Sequence, residues 1–222
     1  WLYHADFFGG LATRLAGMKN LIWNIRHSNF DKNYPNKNLL ILVKVLAKLS
    51  FFLPKKIIFC SKNSINIHKK IGYQPKKIDY VPNGYDLQKF SSFGLKKIFL
   101  KKKFNKKKGI PLLGCVARFH PQKGHENLLR ALKTIKQRRI SFECILVGHK
   151  INKKNKLLIN MVKKFNLNNE VILLGPQKKI ENVMNLIDIH ILSSEYGEAF
   201  PNVVAEAMAS GTPCVVTDVG DS

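Results

Sequence analysis

Acidic residues are scarce in this chain: 14 Asp and Glu stand against 38 Lys and Arg in 222 residues, a formal net charge of +24. Most basic side chains therefore lack a carboxylate to pair with, which raises the question of a polyanionic partner. Their distribution argues against nucleic acid. Lysines are spread along the whole length, and the one dense run, 101–108, carries Phe104 and Asn105 and sits between two patterned halves. That spread reads as solvated surface plus a flexible linker, and the abundance of Lys, Asn and Ile also fits a biased base composition in the coding gene. A basic face would in addition hold the protein against an anionic membrane leaflet, at roughly 1 kcal/mol per Lys or Arg close to the surface.

Cysteine is sparser still, at four residues. Cys60, Cys115, Cys144 and Cys214 each lie in or beside an apolar, strand-like run, with no CxxC pair and no metal-ligand spacing. This pattern points to buried, reduced thiols in a cytoplasmic protein rather than a disulfide framework or a zinc site. Long apolar runs are missing as well. The longest, 39–53, is broken by Lys44, Lys48 and Ser50 and falls short of the roughly 18 residues that a membrane span needs. No signal peptide is visible, and the chain opens at Trp1 without an initiator Met and closes in a loop at Ser222. The expectation is a piece of a longer protein, truncated at both ends.

Hydrophobic residues are plentiful, at 45%, and they are patterned. In the second half, strand-length apolar runs at 112–117, 142–147, 171–174, 187–192 and 214–217 alternate with helix-period segments at 125–138, 153–165, 180–186 and 201–210. Val, Ile and Leu strands alternating with helices predict a parallel sheet covered on both faces, and right-handed crossovers make it a doubly wound, Rossmann-like layer. Ligands of such sheets bind beyond the carboxyl ends of the strands. The first half repeats the theme less completely. A turn at 3–6 precedes a helix at 8–17, a strand at 21–25 and a helix at 38–53. A strand at 56–60, a helix at 63–71 and a strand at 77–81 follow, and Pro82–Asn83–Gly84 breaks the pattern with turn chemistry. The expected fold class is α/β, with two Rossmann-like doubly wound domains facing a cleft. Their expected bounds are 1–90 (acceptor side) and 110–222 (donor side), joined by a Lys-rich linker at 91–109.

The segment richest in chemistry runs from Ser193 to Pro213. A strand ends at Ser193, and a Gly-containing loop then carries Glu195 and Glu198. A helix begins at Pro201, tolerated at the first helical position, and stops at Gly211, suited to a left-handed cap. Free N–H groups at the start of such a helix make a ready site for a diphosphate. Glu206 sits on a mostly apolar stretch of that helix, where a carboxylate is costly unless a hydroxyl-rich ligand such as a ribose, or a partner within the fold, satisfies it. A second segment, from Leu113 to Leu129, reads as strand, basic loop and helix, with Arg118 and Lys123 on the loop. A guanidinium fork plus an ammonium suits a pyrophosphate.

The stretch from Glu198 to Val216, with Glu198 and Glu206 separated by seven residues, a small-residue helix, Gly211–Thr212–Pro213 and a Val-rich strand, resembles the E-x7-E motif of family 4 glycosyltransferases, which have the GT-B fold. The resemblance implies that Glu206 binds the donor ribose and that Glu198 contacts the transferred sugar. It implies that Ala199, Phe200, Pro201 and Asn202 touch the donor, and that Arg118 and Lys123 stabilise charge developing on the nucleoside diphosphate. The family often places a His opposite the donor sugar, which implies that role for His27 in the polar cluster that ends the 21–25 strand and runs on to Asn29. Loop residues Gly148, Gly175 and Gln177 would hold the base through their backbone. His4 and Asp6, with Gly9 and Gly10, would form a turn on the acceptor side, and Pro82 to Asp86 resembles the family's PNG-x-D segment, a structural feature.

No Asp-x-Asp occurs in the chain, so the two cations would replace a metal at the diphosphate. No cofactor is expected. The implied reaction is transfer of a hexose-type sugar, with retention, from a UDP- or GDP-sugar to a glycan or lipid-linked acceptor, in polysaccharide biosynthesis, by a cytoplasmic enzyme peripheral to the inner membrane face. The alternatives are another GT-B-like enzyme of nucleotide sugars, an epimerase or a phosphorylase, and a non-enzymatic polyanion-binding module.

Overall fold

The computed structural model describes residues 2–28, 37–90 and 109–222. The expected linker at 91–109 lies almost wholly outside them, as does Asn29. The chain divides into two compact units. Unit 1 is Trp1–Gly84 with Tyr196–Pro201 and Asp218–Ser222, and unit 2 is Tyr85–Glu195 with Asn202–Thr217.

Unit 1 holds a parallel sheet of β1 (Ile22–Ile25), β2 (Lys56–Phe59) and β3 (Ile78–Tyr80), in that order. Alternate residues Trp23 and Ile25 pair with Ile57 and Phe59, so one face of the sheet buries a continuous apolar row. Helices α1 (Tyr3–Leu15), α2 (Lys37–Leu49) and α3 (Lys62–Ile71) join this core through Tyr3, through Val43, Leu46 and Ala47, and through Ile65 and Ile71 respectively. The turn expected at 3–6 is instead the first turn of α1, which takes in His4, Asp6, Gly9 and Gly10. No proline interrupts the segment, Asp6 donates its amide to Leu2 O at 2.9 Å, and the buried face of Tyr3, Asp6 and Gly10 follows helical spacing. Gly10 lets the helix approach Trp23, Leu21 and Leu53 closely.

The amino-terminus of α3 is fully capped. Ser61 Oγ accepts from Ser64 N, while the Asp221 carboxylate accepts from Lys62 N at 2.6 Å and Asn63 N at 3.0 Å. The helix ends at Gly72 after Lys69 and Lys70, cations placed to favour its carboxyl end.

Unit 2 is a five-stranded parallel sheet in the order β6-β5-β4-β7-β8. Its strands are β4 (Leu112–Val116), β5 (Glu143–Val147), β6 (Val171–Gly175), β7 (Ile189–Leu192) and β8 (Cys214–Val216). All five residues of β4 are buried, as a central strand covered on both faces requires. Helices α5 (His125–Gln137) and α6 (Lys156–Lys164) cover one face through Leu128, Leu129, Leu132 and Leu158. Helices α7 (Ile180–Leu186) and α8 (Asn202–Ala209) cover the other through Val183, Met184 and Ala207, and the short α4 (Leu87–Phe90) also belongs to this unit. The expected helix at 153–165 starts later, at Lys156, because the Asn155 side chain caps it by accepting from Leu158 N at 3.2 Å. The helix expected from Pro201 starts one residue on, at Asn202.

Two histidines are buried in this unit, His190 in the middle of β7 and His125 at the start of α5, and no ring nitrogen of either has a hydrogen-bond partner. Burial pushes both down from 6.5 to about 4. The unfolded chain therefore binds more protons than the folded one between about pH 4 and 6.5, so each neutral ring contributes stability that is present above that window and lost as pH falls through it, up to about 3 kcal/mol each. Asp6 in unit 1 works the other way: burial raises it to about 6, so its contribution is present at low pH and lost as pH rises through 6. Substituting His190→Leu should stabilise unit 2 and flatten its loss of stability between pH 6.5 and 4. Thermal melts of both proteins across that range check this; parallel pH profiles would contradict it.

Candidate active site

The order of the five-stranded sheet places a topological switch at β4. The chain proceeds outward from β4 to β5 and β6, then returns to the other side of β4 as β7. The loops that follow β4 and β7 thus diverge above the same point, which is where doubly wound sheets take their ligands. Arg118 and Lys123 lie on the first loop, and Ser193 to Glu195 open the second.

Backbone hydrogen bonds lock the two loops together. Ser193 Oγ donates to Lys123 O and Gly124 O, both at 3.0 Å, and Glu195 N donates to Gln122 O at 2.9 Å. Gly124 makes this approach possible: it sits at φ +58°, and a Cβ there would lie 2.0 Å from Ser193 O. On the other side, Gly148 packs against the peptide that leads into Arg118. Its φ is +147°, and a Cβ would meet Ala117 O at 2.2 Å and Arg118 N at 3.1 Å. Gly148 N donates to Gly175 O at 3.0 Å, and Phe119 N to His149 O at 2.9 Å. Arg118, Gly148 and Gly175 therefore sit on neighbouring strand ends, and Gln177 folds back on Leu174 O at 2.9 Å.

The electrostatics of unit 2 favour an anion. Arg118 is exposed and its guanidinium donates to Gln122 Oε1 at 3.3 Å; among the described residues no carboxylate pairs with it. A guanidinium steadied by a neutral amide keeps its charge for a ligand. Glu206 is half-buried on α8; burial raises its carboxyl above the usual range and Lys89 partly opposes this. Asn202, at the head of the same helix, accepts from the Tyr85 hydroxyl at 2.9 Å, so Tyr85 contributes to holding it.

In unit 1, a cavity of about 400 Å³ is lined by Tyr3, His4, Asp6, Asn24, Arg26 and His27, among others. The next residue, Ser28, donates its hydroxyl to the backbone oxygen of Glu198, and Asp221 N donates to Ala199 O at 3.0 Å. The segment with Glu198, Ala199, Phe200 and Pro201 is thus held on unit 1, with Glu198 buried. Sequence reasoning placed Ser193 at a strand end, Asn24 and Ser28 in the polar cluster and Tyr3 in a turn, but gave none of them a role. Each works through its place in the fold rather than through a motif, and no spacing marks it.

A doubly wound sheet with basic and glycine loops at its switch point is an arrangement that such folds use for phosphorylated ligands. Residues 96–221, more than half of the chain, match the family of glycosyl transferases group 1, and the chain belongs to that family. It is 28% identical to EpsF of Bacillus subtilis, named as a glycosyltransferase, over 97% of this chain and 56% of that one. It is 27% identical to the UDP-Gal:alpha-D-GlcNAc-diphosphoundecaprenol alpha-1,3-galactosyltransferase of Escherichia coli, over 95% of this chain and 54% of that one. The chain spans about half the length of the curated relatives it matches. Among solved structures, Anabaena Alr3699/HepE in complex with UDP and glucose superposes with a TM-score of 0.86 at 22% identity, over 99% of this chain and 58% of that one. The fold is that of GT-B glycosyltransferases, with Rossmann-like units.

Gly148→Ala should force the Ala117–Arg118 peptide to move, at a cost of about 1–3 kcal/mol, and should weaken anion binding at Arg118. Gly9→Ala, at an exposed helical position with nothing within 4 Å of the added Cβ, should instead stabilise by up to about 1 kcal/mol. Melting temperature and nucleotide affinity of the two variants check the contrast.

Proposed function

We propose that the full-length protein transfers a hexose-type sugar from a nucleoside-diphosphate sugar to a glycan or lipid-linked acceptor, with retention and without a metal. The observation that carries this reading is Arg118 at the switch point, exposed and steadied by Gln122 with no carboxylate beside it among the described residues. A neutralised arginine would serve the fold; this one is arranged to meet a diphosphate.

In this reading Arg118 and Lys123 take up the negative charge that grows on the nucleoside diphosphate as the glycosidic bond breaks. Preorganised cations are worth several kcal/mol there, which is why no metal is needed. Glu206, on a largely apolar helix, accepts from the ribose hydroxyls, which compensates for its desolvation. Gly148, Gly175 and Gln177 present backbone to the base, while Ala199, Phe200, Pro201 and Asn202 flank the donor. Glu198 and His27 contact the transferred sugar, and His4 and Asp6 bound the acceptor side. Among the described residues no carboxylate has a clear place as a nucleophile, so in this reading transfer proceeds on the face the diphosphate leaves.

UDP in the HepE structure and the UDP-Gal donor named for the Escherichia coli relative support a uridine diphosphate sugar over a guanosine one. The diphosphoundecaprenol acceptor in that relative's name supports a lipid-linked acceptor. Among the described residues no helix is long and apolar enough to cross a membrane. Contact with an anionic membrane face through the basic surface, on the cytoplasmic side, is part of the proposal. A polyanion-binding module, the alternative from another class, would pair its cations with stacking platforms; Trp23, Phe59 and Tyr73 are in the core whereas Phe8, Phe51, Phe52 and Tyr80 are exposed, so a steep salt dependence with no effect of sugar nucleotide is what would favour that reading.

The test is calorimetric titration of the full-length protein with UDP, GDP and their sugars in EDTA, beside Arg118→Ala and Glu206→Ala. Micromolar binding of one nucleotide, weakened at least tenfold by each substitution, is expected. A folded protein that binds none of them refutes the reading, and binding only on addition of Mg²⁺ refutes its metal-free form.

A further inference from the structure

The cavity of unit 1 is backed by a buried polar chain that the proposed chemistry does not use. His68 lies on α3 with 0% exposure, caged by Phe59 and Tyr73, each with its ring centroid 5.0 Å away. Its Nδ1 lies 2.7 Å from Ser64 O, and its Nε2 lies 2.8 Å from the Tyr3 hydroxyl. A carbonyl oxygen only accepts, so Nδ1 carries the hydrogen. Burial keeps the ring neutral by lowering it to about 4, so Nε2 accepts and Tyr3 donates.

Two members of this chain reach His27. The Ser64 hydroxyl donates to His27 O at 2.6 Å. The Tyr3 ring, whose orientation is set by its bond to His68, stands edge-on to the His27 ring, with centroids 6.2 Å apart and planes at 90°. His27 is therefore gripped at its backbone by Ser64 and at its ring by Tyr3, and His68 joins the two grips. Core packing alone would be served by an apolar side chain at position 68; a polar one is retained at the cost of placing two ring nitrogens in the interior.

We propose that His68, Ser64 and Tyr3 are positioning residues that hold the His27 imidazole toward the cavity, which rests on the role given to His27 under Proposed function. The arrangement resembles the support that second-layer hydrogen bonds give to ligating and catalytic histidines elsewhere: a fixed tautomer behind, a fixed ring in front.

The experiment combines Ser64→Ala and His68→Phe with His27→Ala in the full-length protein. His68→Phe keeps the aromatic volume and deletes both hydrogen bonds; Ser64→Ala deletes the tether to His27 together with the longer, 3.4 Å contact of the hydroxyl with His68 Nδ1. Each single variant should lower kcat for sugar transfer about tenfold or more while donor KM changes less than about threefold. In the His27→Ala background neither should cost anything further. Nuclear magnetic resonance spectra of the histidine rings should show the His27 signals displaced in both variants. Losses that multiply in the His27→Ala background, or an unmoved His27 ring, overturn the proposal and leave the role of His27 standing. A fully active His27→Ala removes that role and the positioning function with it, a pattern distinct from the first. If His68→Phe fails to fold, Ser64→Ala decides alone, since it removes no packing.

Discussion

The contact between Gly148 and the Ala117–Arg118 peptide is the constraint on which the site in unit 2 depends. The central strand β4 is wholly buried, so the chain can leave it only at its carboxyl end. There the loop after β5 passes so close that no side chain fits at position 148. The approach sets the direction in which Arg118 leaves the sheet. Behind it, the bonds from Ser193 to Lys123 and Gly124 close the loop from the β7 side. The cationic loop is held from both flanks by backbone and hydroxyl groups, and Arg118 at its head meets no carboxylate among the described residues. Rigid support with free charge is the arrangement that electrostatic stabilisation of a leaving group requires.

Unit 1 uses a different device. Its polar residues are supported from beneath, by hydrogen bonds inside a core of aromatic rings, rather than by close backbone approach. The segment bearing Glu198 also rests on this unit, through Ser28 and Asp221. Asp221 is used twice: its amide holds Ala199, and its carboxylate saturates the amino-terminus of α3. The amino-terminus of α3 is thereby saturated and offers no N–H group to an anion.

Much of this was legible in the sequence, for physical reasons that differ by element. The central strands β4 and β5 of unit 2 are near-continuous apolar runs because they are covered on both faces, and β4 could be located to within a residue. The helix at 180–186 was readable from its period alone. At Gly211, φ +70° is what a helix stop with a left-handed cap requires. The first turn of α1 was not legible: residues 3–6 read as a turn, and the structure makes them the start of the helix, with Tyr3, Asp6 and Gly10 on its buried face. Nor was the start of α6, which a single side-chain cap from Asn155 decides. The candidate residues on motif-bearing loops were visible as chemistry, but their supports were not. Ser193, Ser28, Ser64 and His68 are ordinary residue types whose roles exist only once distant segments meet.

The large positive charge was the least informative number, and the structure shows why. Many cations do local work at the carboxyl ends of helices: Arg14 on α1, Lys48 on α2, Lys69 and Lys70 on α3, Lys136 on α5, and Lys163 and Lys164 on α6. Each complements a helix dipole by a few tenths of a kcal/mol, and none needs an external partner. Arg14 further ties α1 to Phe52 O and Leu53 O, and Lys136 pairs with Glu170 at 2.9 Å. The interior, meanwhile, admits no charge of this sign: His68, His125 and His190 are all held neutral by burial. What distinguishes Arg118 is therefore not its charge, which it shares with 37 other Lys and Arg residues, but its place at the switch point and the neutral partner that leaves its charge unspent.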